Sequence, residues 1–213
     1  MIDTVIFDMD GTLIDTEKYY RIFWPKALAE FGYTVTDEQA LSMRSLGRPF
    51  APARLKEMFG QELDYYKVRD RRKEMMEECL DREGIDLKPG VMELLTFLKE
   101  KGITRAIATA TDLQRTEKYL GKLGIRDYFD ELISATMVEY GKPYPDIYQY
   151  ACKTLGKDPE DCIAVEDSPN GVISAYKAGC KVVMVPDQTQ PDEELSAMLY
   201  AKCDSLADII KLL

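Results

Sequence analysis

The sequence predicts an α/β protein with a doubly wound parallel sheet and an inserted, all-helical segment. An apolar run rich in β-branched residues lies almost at the N-terminus and ends in Asp8 and Asp10, which is typical of a buried parallel strand. Residues 36–82 show helical patterns only, which interrupts the strand-helix alternation of a parallel sheet. From the turn at residues 88–90 onward, strands and helices alternate regularly, and 213 residues suffice for one core plus an insertion.

The first strand is followed by a helix that begins after Thr16 and is closed by Gly32. Apolar side chains recur on this helix at spacings of three and four residues, which predicts a broad buried stripe: Tyr20, Trp24 and Leu28 with Phe23, Ala27 and Phe31. Residues 67–82 carry many charges of both signs, which favours a solvated helix face rather than a site. We expect a helical unit over residues 15–87 and an α/β core formed by residues 1–14 and 88–213.

Within that core, glycines mark the ends of helices and polar residues mark their starts. Asp112 and Ser168 are of residue types preferred at the N-cap of a helix, whereas Gly102, Gly124 and Gly179 are typical of the position just after a helix ends. These signals predict helices over residues 91–101, 112–123, 145–155, 168–179 and 206–213, and strands over residues 103–109, 132–134, 162–166 and 181–185.

Composition excludes several classes of function. A net charge of -10 argues against nucleic acid as a partner, because phosphate backbones are held by clustered Lys and Arg. The chain has no histidine, which excludes His-based triads and His-ligated zinc. No run of apolar residues is long enough to span a membrane, and no signal segment is recognisable. The five cysteines are scattered along the chain, which fits reduced thiols. We therefore expect a cytoplasmic protein, a monomer or weak dimer, that does not bind membranes.

Asp8 and Asp10 are the first candidate site residues. Because Asp8 and Asp10 are two residues apart on an extended chain, their side chains point to the same side. Gly11 allows a tight turn directly afterwards. The carboxyl ends of parallel strands are where open α/β sheets bind ligands, so the pair could hold a magnesium ion there. The same residues also fit a simple strand-to-turn junction.

Three later stretches carry matching chemistry. Residues 109–112 place hydroxyls and main-chain N–H groups at a helix start, which favours anions, although such residues also serve as caps. Lys142 lies in a loop stiffened by two prolines. The apolar strand over residues 162–166 ends in Glu166 and Asp167, so a second acidic strand end would complete an oxygen-rich magnesium site.

These four stretches, in this order and spacing, resemble the motifs of the haloacid dehalogenase superfamily. The matching residues are Asp8-Met9-Asp10-Gly11-Thr12, Thr109, Lys142 in Lys-Pro-x-Pro-Asp, and Glu166-Asp167-Ser168. The helical insertion directly after the first motif is similar to that of the phosphatases and mutases that include β-phosphoglucomutase. The resemblance covers essentially the whole chain and implies a Rossmann-like core with a helical cap.

The resemblance also implies roles for individual residues. Asp8 would be the nucleophile that forms an aspartyl-phosphate, and Asp10 the general acid and then the base. Thr109 and the N–H of Ala110 would hold the phosphoryl oxygens, while Lys142 would offset negative charge. Mg²⁺ would be the cofactor, and its implied ligands are the Asp8 carboxylate, the Asp10 carbonyl and Asp167, with Glu166 as a further candidate.

The implied function is hydrolysis of a small phosphorylated metabolite, a sugar or polyol phosphate, with the cap closing over the pocket. Arg44, Arg48 and Arg54 are candidate contacts to a distal substrate anion, with Arg48 first because it lies beside Gly47 and Pro49. Two alternatives remain open, a hexose-phosphate mutase and a non-catalytic regulatory binding module. Where the mutases have a cap histidine this chain has Tyr20, which favours hydrolysis because a phenol does not titrate near pH 7.

Overall fold

The computed structural model describes residues 2–213. Within them a parallel sheet has the strand order β3-β2-β1-β4-β5-β6, which confirms the predicted doubly wound fold. The strands are β1 (Thr4–Phe7), β2 (Thr104–Thr109), β3 (Glu131–Ser134), β4 (Cys162–Glu166), β5 (Lys181–Met184) and β6 (Ala201–Lys202).

The helices form two groups. Those between β1 and β2 are α1 (Glu17–Glu30), α2 (Asp37–Ser42), α3 (Phe50–Phe59), α4 (Tyr65–Glu83) and α5 (Val91–Glu100). Those later in the chain are α6 (Leu113–Lys122), α7 (Asp146–Leu155), α8 (Pro169–Ala178) and α9 (Glu193–Ser196). Among residues 2–213, no helix combines the length and apolar character that crossing a bilayer requires.

The central strand β1 alternates its side chains between two apolar layers. Val5 and Phe7 face a cluster that includes α5, while Ile6 faces a cluster formed with α7 and α8. Phe7 is level with Ile107 of β2 and with Val165 of β4. The carboxyl ends of these three adjacent strands therefore meet at one edge of the sheet, where ligands bind in such folds.

Helices α1–α4 enclose an apolar cluster of their own, which we call the helical cluster; it contains Trp24, Ala27, Leu28, Met43, Ala51, Leu55, Leu63, Tyr65 and Val68. The two chain segments that connect these helices to the sheet lie side by side. Ile14 forms an antiparallel bridge with Leu87, and the N–H of Asp15 donates to the carbonyl of Asp86 at 2.9 Å. The helices are thus joined to the sheet through a short two-stranded connection.

Three sequence-based expectations differ from the structure. Phe31, predicted on the buried stripe of α1, is 42% exposed because it lies at the end of the helix, beyond the buried part of the stripe. The C-terminal Leu206–Leu212 segment is a 3-10 helix rather than an α-helix. The strand β6 and the helix α9 were not expected, because two and four residues are too few to establish a periodic pattern.

Candidate active site

Asp8 directly follows β1 and is almost fully buried. Its Oδ1 accepts a hydrogen bond from Lys142 Nζ at 2.5 Å, whereas its Oδ2 has no partner among residues 2–213. Burial raises the pKa of Asp8, and the Lys142 ammonium opposes that shift. A buried carboxylate oxygen without a partner is costly, which marks Oδ2 as an atom prepared for a ligand.

Lys142 is also fully buried and is held by three oxygen atoms. Besides Asp8, its Nζ donates to Glu166 Oε1 at 2.7 Å and to the carbonyl of Ala108 at 2.9 Å. Burial alone would lower the pKa of Lys142, but the two carboxylates outweigh it and shift the pKa upward. The lysine therefore stays cationic at neutral pH.

Glu166 has both of its carboxylate oxygens engaged. Oε1 accepts from Lys142 and from Tyr148 Oη, the latter at 2.6 Å, and Oε2 accepts from the N–H of Asp167 at 3.3 Å. The carboxylate lies against the first turn of α8 at Gly171, where any Cβ would overlap it. This arrangement suits a counterion that fixes the position of Lys142.

Asp10 lies on the cavity side of the same turn, and both of its oxygens accept hydroxyl hydrogen bonds. Thr16 Oγ1 donates to Oδ1 at 2.6 Å, and Thr111 Oγ1 donates to Oδ2 at 2.7 Å. The Tyr20 hydroxyl lies 3.4 Å from Thr111 Oγ1 and extends this chain toward α1. The Asp10 carboxylate is therefore held in one orientation by hydroxyls from two parts of the chain, the start of α1 and the segment after β2.

Asp8, Glu166 and Asp167 each offer a carboxylate oxygen within 4.8 Å of the others, all buried. Burial raises the pKa of Asp167 as well as that of Asp8. Buried carboxylates in excess of nearby cations need further positive charge, and an all-oxygen donor set is what Mg²⁺ prefers. The unpartnered Oδ2 of Asp8 supplies an independent sign that the residues present fit such an ion.

Arg44 reaches into this cluster from the segment that follows α2. Its guanidinium donates to Glu17 Oε2 at 3.0 Å and forms a close ion pair with Asp167. Of the three arginines expected at a distal substrate anion, Arg44 is thus engaged by the acidic cluster. Arg48 lines the cavity, and Arg54 lies on the surface paired with Glu57 at 2.9 Å, away from the cavity.

The residues expected to hold phosphate lie at the end of β2. Thr109 is buried, and its Oγ1 accepts from the N–H of Thr111 at 3.1 Å. Ala110 is exposed and lines the cavity just before α6. The N-cap Asp112 side chain accepts from the N–H of Arg115 and also from Lys73 of α4, the latter at 2.9 Å.

A cavity of about 620 Å³ lies between the sheet edge and helices α1–α4, a size that holds a small organic ligand. Asp8, Asp10, Thr109 and Ala110 line it from the sheet side. The helical segment contributes aromatic and cationic side chains: Tyr20, Trp24, Arg48, Tyr65, Arg69, Arg72 and Lys73.

The segment that carries Arg48 contacts the loop that carries Lys142. The N–H of Gly47 donates to the carbonyl of Lys142 at 2.9 Å, and the N–H of Gly141 donates to the carbonyl of Arg48 at 2.8 Å. A Cβ on Gly47 would lie 2.5 Å from the Cα of Gly141, so neither position has room for a side chain. We call this contact the glycine contact; it closes one side of the cavity.

Sequence reasoning missed several residues around the site. Thr111 was among the hydroxyls expected to favour an anion, but its contact with Asp10 was not foreseen. The contacts of the Thr16 and Tyr148 hydroxyls leave no recognisable sequence pattern. Arg72 did leave one. It falls four residues after Val68 and four before Met76, so a single charge interrupts an apolar stripe of α4, and the structure buries it. The prediction that the charged residues of 67–82 form a solvated helix face was therefore wrong at Arg72.

The chain is similar to known proteins over most of its length. A family model for haloacid dehalogenase-like hydrolases matches residues 2–179. The chain is 31% identical over 215 residues to hexitol phosphatase B of Escherichia coli (strain K12), covering 96% of this chain and 92% of that protein. It is 30% identical over 220 residues to the phosphorylated carbohydrates phosphatase of Thermotoga maritima, covering 99% of each.

Among solved structures, CbbY from Rhodobacter sphaeroides in complex with xylulose-(1,5)bisphosphate is similar with a TM-score of 0.84. The sequences are 29% identical, and the alignment covers 98% of this chain and 96% of that chain. The similarity therefore extends over the sheet, the site and the helical segment alike.

Proposed function

Because the chain belongs to the haloacid dehalogenase-like hydrolase family, we propose that it is a magnesium-dependent phosphatase of a small phosphorylated sugar or polyol. The observation that carries this proposal is the Asp8 carboxylate, whose Oδ1 is fixed by Lys142 and whose Oδ2 has no partner among the residues that the structure describes. The named activities of the hexitol phosphatase and the carbohydrate phosphatase support the same substrate class.

In the first step, an oxygen of the Asp8 carboxylate attacks phosphorus, and the bond from phosphorus to the substrate oxygen breaks. Asp10 gives a proton to the departing alkoxide, so an alcohol leaves and an aspartyl-phosphate remains. In the second step, Asp10 takes a proton from water, whose oxygen attacks phosphorus; the bond from phosphorus to Asp8 breaks, which restores the carboxylate and releases inorganic phosphate. Thr109 and the N–H of Ala110 hold the phosphoryl oxygens throughout, and Lys142 offsets the negative charge of the nucleophile and the phosphate, because charge stabilisation and positioning carry most of this chemistry.

Asp8, the Asp10 carbonyl and Asp167 would hold Mg²⁺, which when bound supplies positive charge against the phosphoryl oxygens. Glu166 is the weaker candidate, since its two oxygens already accept from Lys142, Tyr148 and the Asp167 N–H. We assign it instead to holding Lys142 in place. Residues 15–87, which include helices α1–α4, serve as a cap over the cavity. This cap excludes bulk water and selects the substrate.

Phosphate release from a panel of hexitol and hexose phosphates, with and without Mg²⁺, tests the proposal. We expect activity that EDTA abolishes and Mg²⁺ restores, with poor rescue by Ca²⁺ because its larger and looser coordination shell misplaces an in-line attack. The absence of metal-dependent release from every sugar and polyol phosphate would contradict the proposal. Substrate binding without any turnover would instead favour a regulatory binding module.

Tyr20 favours hydrolysis over the mutase alternative. Its hydroxyl approaches Thr111, and burial raises its pKa, so it carries no titrating proton near pH 7. Incubation with β-glucose 1-phosphate, Mg²⁺ and a trace of glucose 1,6-bisphosphate separates the two activities. We expect inorganic phosphate to accumulate, whereas glucose 6-phosphate forming much faster than phosphate would identify a mutase.

A further inference from the structure

Tyr148 is a fully buried polar side chain to which the proposed chemistry gives no role. It lies in the first turn of α7, and the loop just before that helix carries Lys142. The Tyr148 ring belongs to the apolar layer formed with α7 and α8, which also contains Ile6 and Ala164. A phenylalanine would fill the same space without a hydroxyl, whose burial is costly unless it finds a partner. The reason for a tyrosine here therefore lies in what its hydroxyl contacts.

The Tyr148 hydroxyl contacts the counterion of the active-site lysine. Its Oη donates to Glu166 Oε1 at 2.6 Å, a distance typical of a hydrogen bond from a hydroxyl to a charged carboxylate. The same Oε1 accepts from Lys142 Nζ at 2.7 Å, so the phenol and the ammonium share one acceptor atom. Burial raises the pKa of Tyr148 well above its usual value, and the Glu166 charge adds to that shift. The phenol therefore remains a proton donor.

The Tyr148 ring also lies next to the ammonium itself. Lys142 Nζ is 5.2 Å from the centroid of the ring, within the range in which a cation is attracted to an aromatic face. The three N–H donors of this ammonium are already directed at Asp8, Glu166 and the carbonyl of Ala108. Tyr148 thus contacts Lys142 through its ring and the counterion of Lys142 through its hydroxyl.

We propose that Tyr148 is a positioning residue that sets how Lys142 divides its interaction between Asp8 and Glu166. Two donors on one oxygen weaken each other, so the phenol limits how strongly Glu166 Oε1 attracts the ammonium. Lys142 is then available to neutralise Asp8, where negative charge has to be offset during the reaction. The inference rests on the proposed phosphatase function, to which it adds a residue that touches no reacting atom.

Nuclear magnetic resonance of the chain labelled with ¹⁵N-lysine tests the placement of Lys142 without turnover. Its ammonium is buried with three acceptors, so we expect a resolved signal, which is assigned by its loss in Lys142→Met. Tyr148→Phe should shift this signal, because the ring remains and only the hydroxyl is removed. Tyr119→Phe is the matched control: Tyr119 is also buried, but its hydroxyl contacts Arg115 at 2.9 Å and its ring lies in the other apolar layer. That variant should leave the Lys142 signal in place.

Kinetics of the same two variants test the consequence for the reaction. We expect Tyr148→Phe to lower kcat by about tenfold with little change in KM, because the charge that Lys142 offsets is greatest in the transition state. Orthovanadate adopts the five-coordinate geometry of phosphoryl transfer, so its affinity should fall by a similar factor, while that of inorganic phosphate stays nearly unchanged. Tyr119→Phe should lower the free energy of unfolding without affecting either ligand.

A double-mutant cycle asks whether Tyr148 acts through Glu166. If it does, Tyr148→Phe combined with Glu166→Gln should lose no more activity than Glu166→Gln alone. Losses that add, or a Tyr148→Phe variant with unchanged kcat or an unmoved Lys142 signal, would overturn the proposal. Should Tyr148→Phe not fold, 3-fluorotyrosine incorporated at every tyrosine keeps the hydroxyls and strengthens their donation. The Lys142 signal should then shift as well, and its failure to do so would equally overturn the proposal.

The two proposals fail separately. If the native chain hydrolyses no phosphate ester while the Lys142 signal responds to Tyr148→Phe and not to Tyr119→Phe, the phosphatase is refuted and the positioning of Lys142 by Tyr148 stands. If the native chain hydrolyses sugar phosphates while Tyr148→Phe changes neither kcat nor the signal, the positioning role is refuted and the phosphatase stands.

Discussion

The two oxygens of the Asp8 carboxylate have different surroundings, and this asymmetry matters for reactivity. Lys142 neutralises Oδ1 and fixes the rotation of the carboxylate, whereas Oδ2 has no partner among residues 2–213 and is open to a ligand. Asp10, two residues away, has the opposite arrangement, with a hydroxyl donor on each oxygen. Neighbouring acids of the same type are thus prepared for different tasks by their partners alone.

Replacing Asp8 with Asn removes the attacking oxygen at nearly constant volume. We expect steady-state phosphate release to be abolished and the folded structure to be retained, because the amide oxygen can still accept from Lys142. Phosphate release and circular dichroism measure the two effects. Asp3→Asn is the matched control, since Asp3 lies just before the same strand and pairs with Lys157 at the surface, and it should leave turnover unchanged.

The hydroxyl of Thr111 can be tested by Thr111→Val, which keeps the shape of the side chain. Asp10 then loses one of its two donors and its fixed orientation, so we expect kcat to fall by about 10- to 100-fold with little change in KM. Thr116→Val is the control, because the Thr116 hydroxyl donates only to the carbonyl of Asp112. Equal losses of kcat in both variants would show that the effect is general destabilisation.

Helix α8 shows how an element, rather than a residue, positions the site. Ser168 caps the helix by accepting from the N–H of Gly171 at 3.3 Å, and the absence of a side chain at Gly171 lets Glu166 lie against the first turn. Glu166 can then hold Lys142, which in turn holds Asp8. The order of the site therefore depends on a helix start that contributes no reacting atom.

Gly171→Ala should force the Glu166 carboxylate to move, because the added Cβ would overlap it. We expect a loss of kcat/KM of about 10²-fold, comparable to removal of one preorganised electrostatic group. Gly121→Ala in α6 is the control, since a Cβ there meets nothing within 4 Å. That variant should gain about 0.5–1 kcal/mol in the free energy of unfolding with unchanged kinetics, measured by urea denaturation.

The sequence predicts the strand ends far better than it predicts the cap side of the site. β1, β2 and β4 were recognisable because buried β-branched runs ending in Asp8, Thr109 and Glu166 combine a hydrophobic and a polar signal. Arg44 could not be placed in this way, because which charges of a loop turn inward depends on how α1–α4 pack over the sheet. Arg72 left a weaker sign, its position on the apolar stripe of α4, which indicates burial but not what the side chain contacts.

At the scale of the whole molecule, the helical segment and the core meet at the glycine contact, where two reciprocal main-chain hydrogen bonds join Gly47 and Arg48 to Gly141 and Lys142. Phe50 stacks on Tyr144 beside it at a centroid separation of 4.8 Å. The loop that carries the buried lysine is therefore also the loop that the helical segment contacts. The position of that segment and the placement of Lys142 are linked through the same peptide groups.

Gly47→Ala should hold the two loops apart, since its Cβ would lie 2.5 Å from the Cα of Gly141. We expect kcat/KM to fall by about tenfold or more and the segment around residue 47 to become sensitive to limited proteolysis. Gly141→Ala should produce the same changes because it affects the same contact. The double variant should be no worse than either single one, whereas additive losses would show that the two glycines act separately.

The position of β1 in the sheet has a consequence for biosynthesis. Thr4 pairs with Thr104 and with Cys162, so the strand that carries Asp8 is made long before either of its neighbours. Closing the long loop between β1 and its partner strands is entropically unfavourable. If α1–α4 fold first around the helical cluster and bring Ile14 beside Leu87, the length of flexible chain in that loop becomes shorter. Asp8 thus meets Glu166 and Asp167 only when β4 has left the ribosome, and a nascent chain carries both N-terminal aspartates without the rest of the acidic cluster.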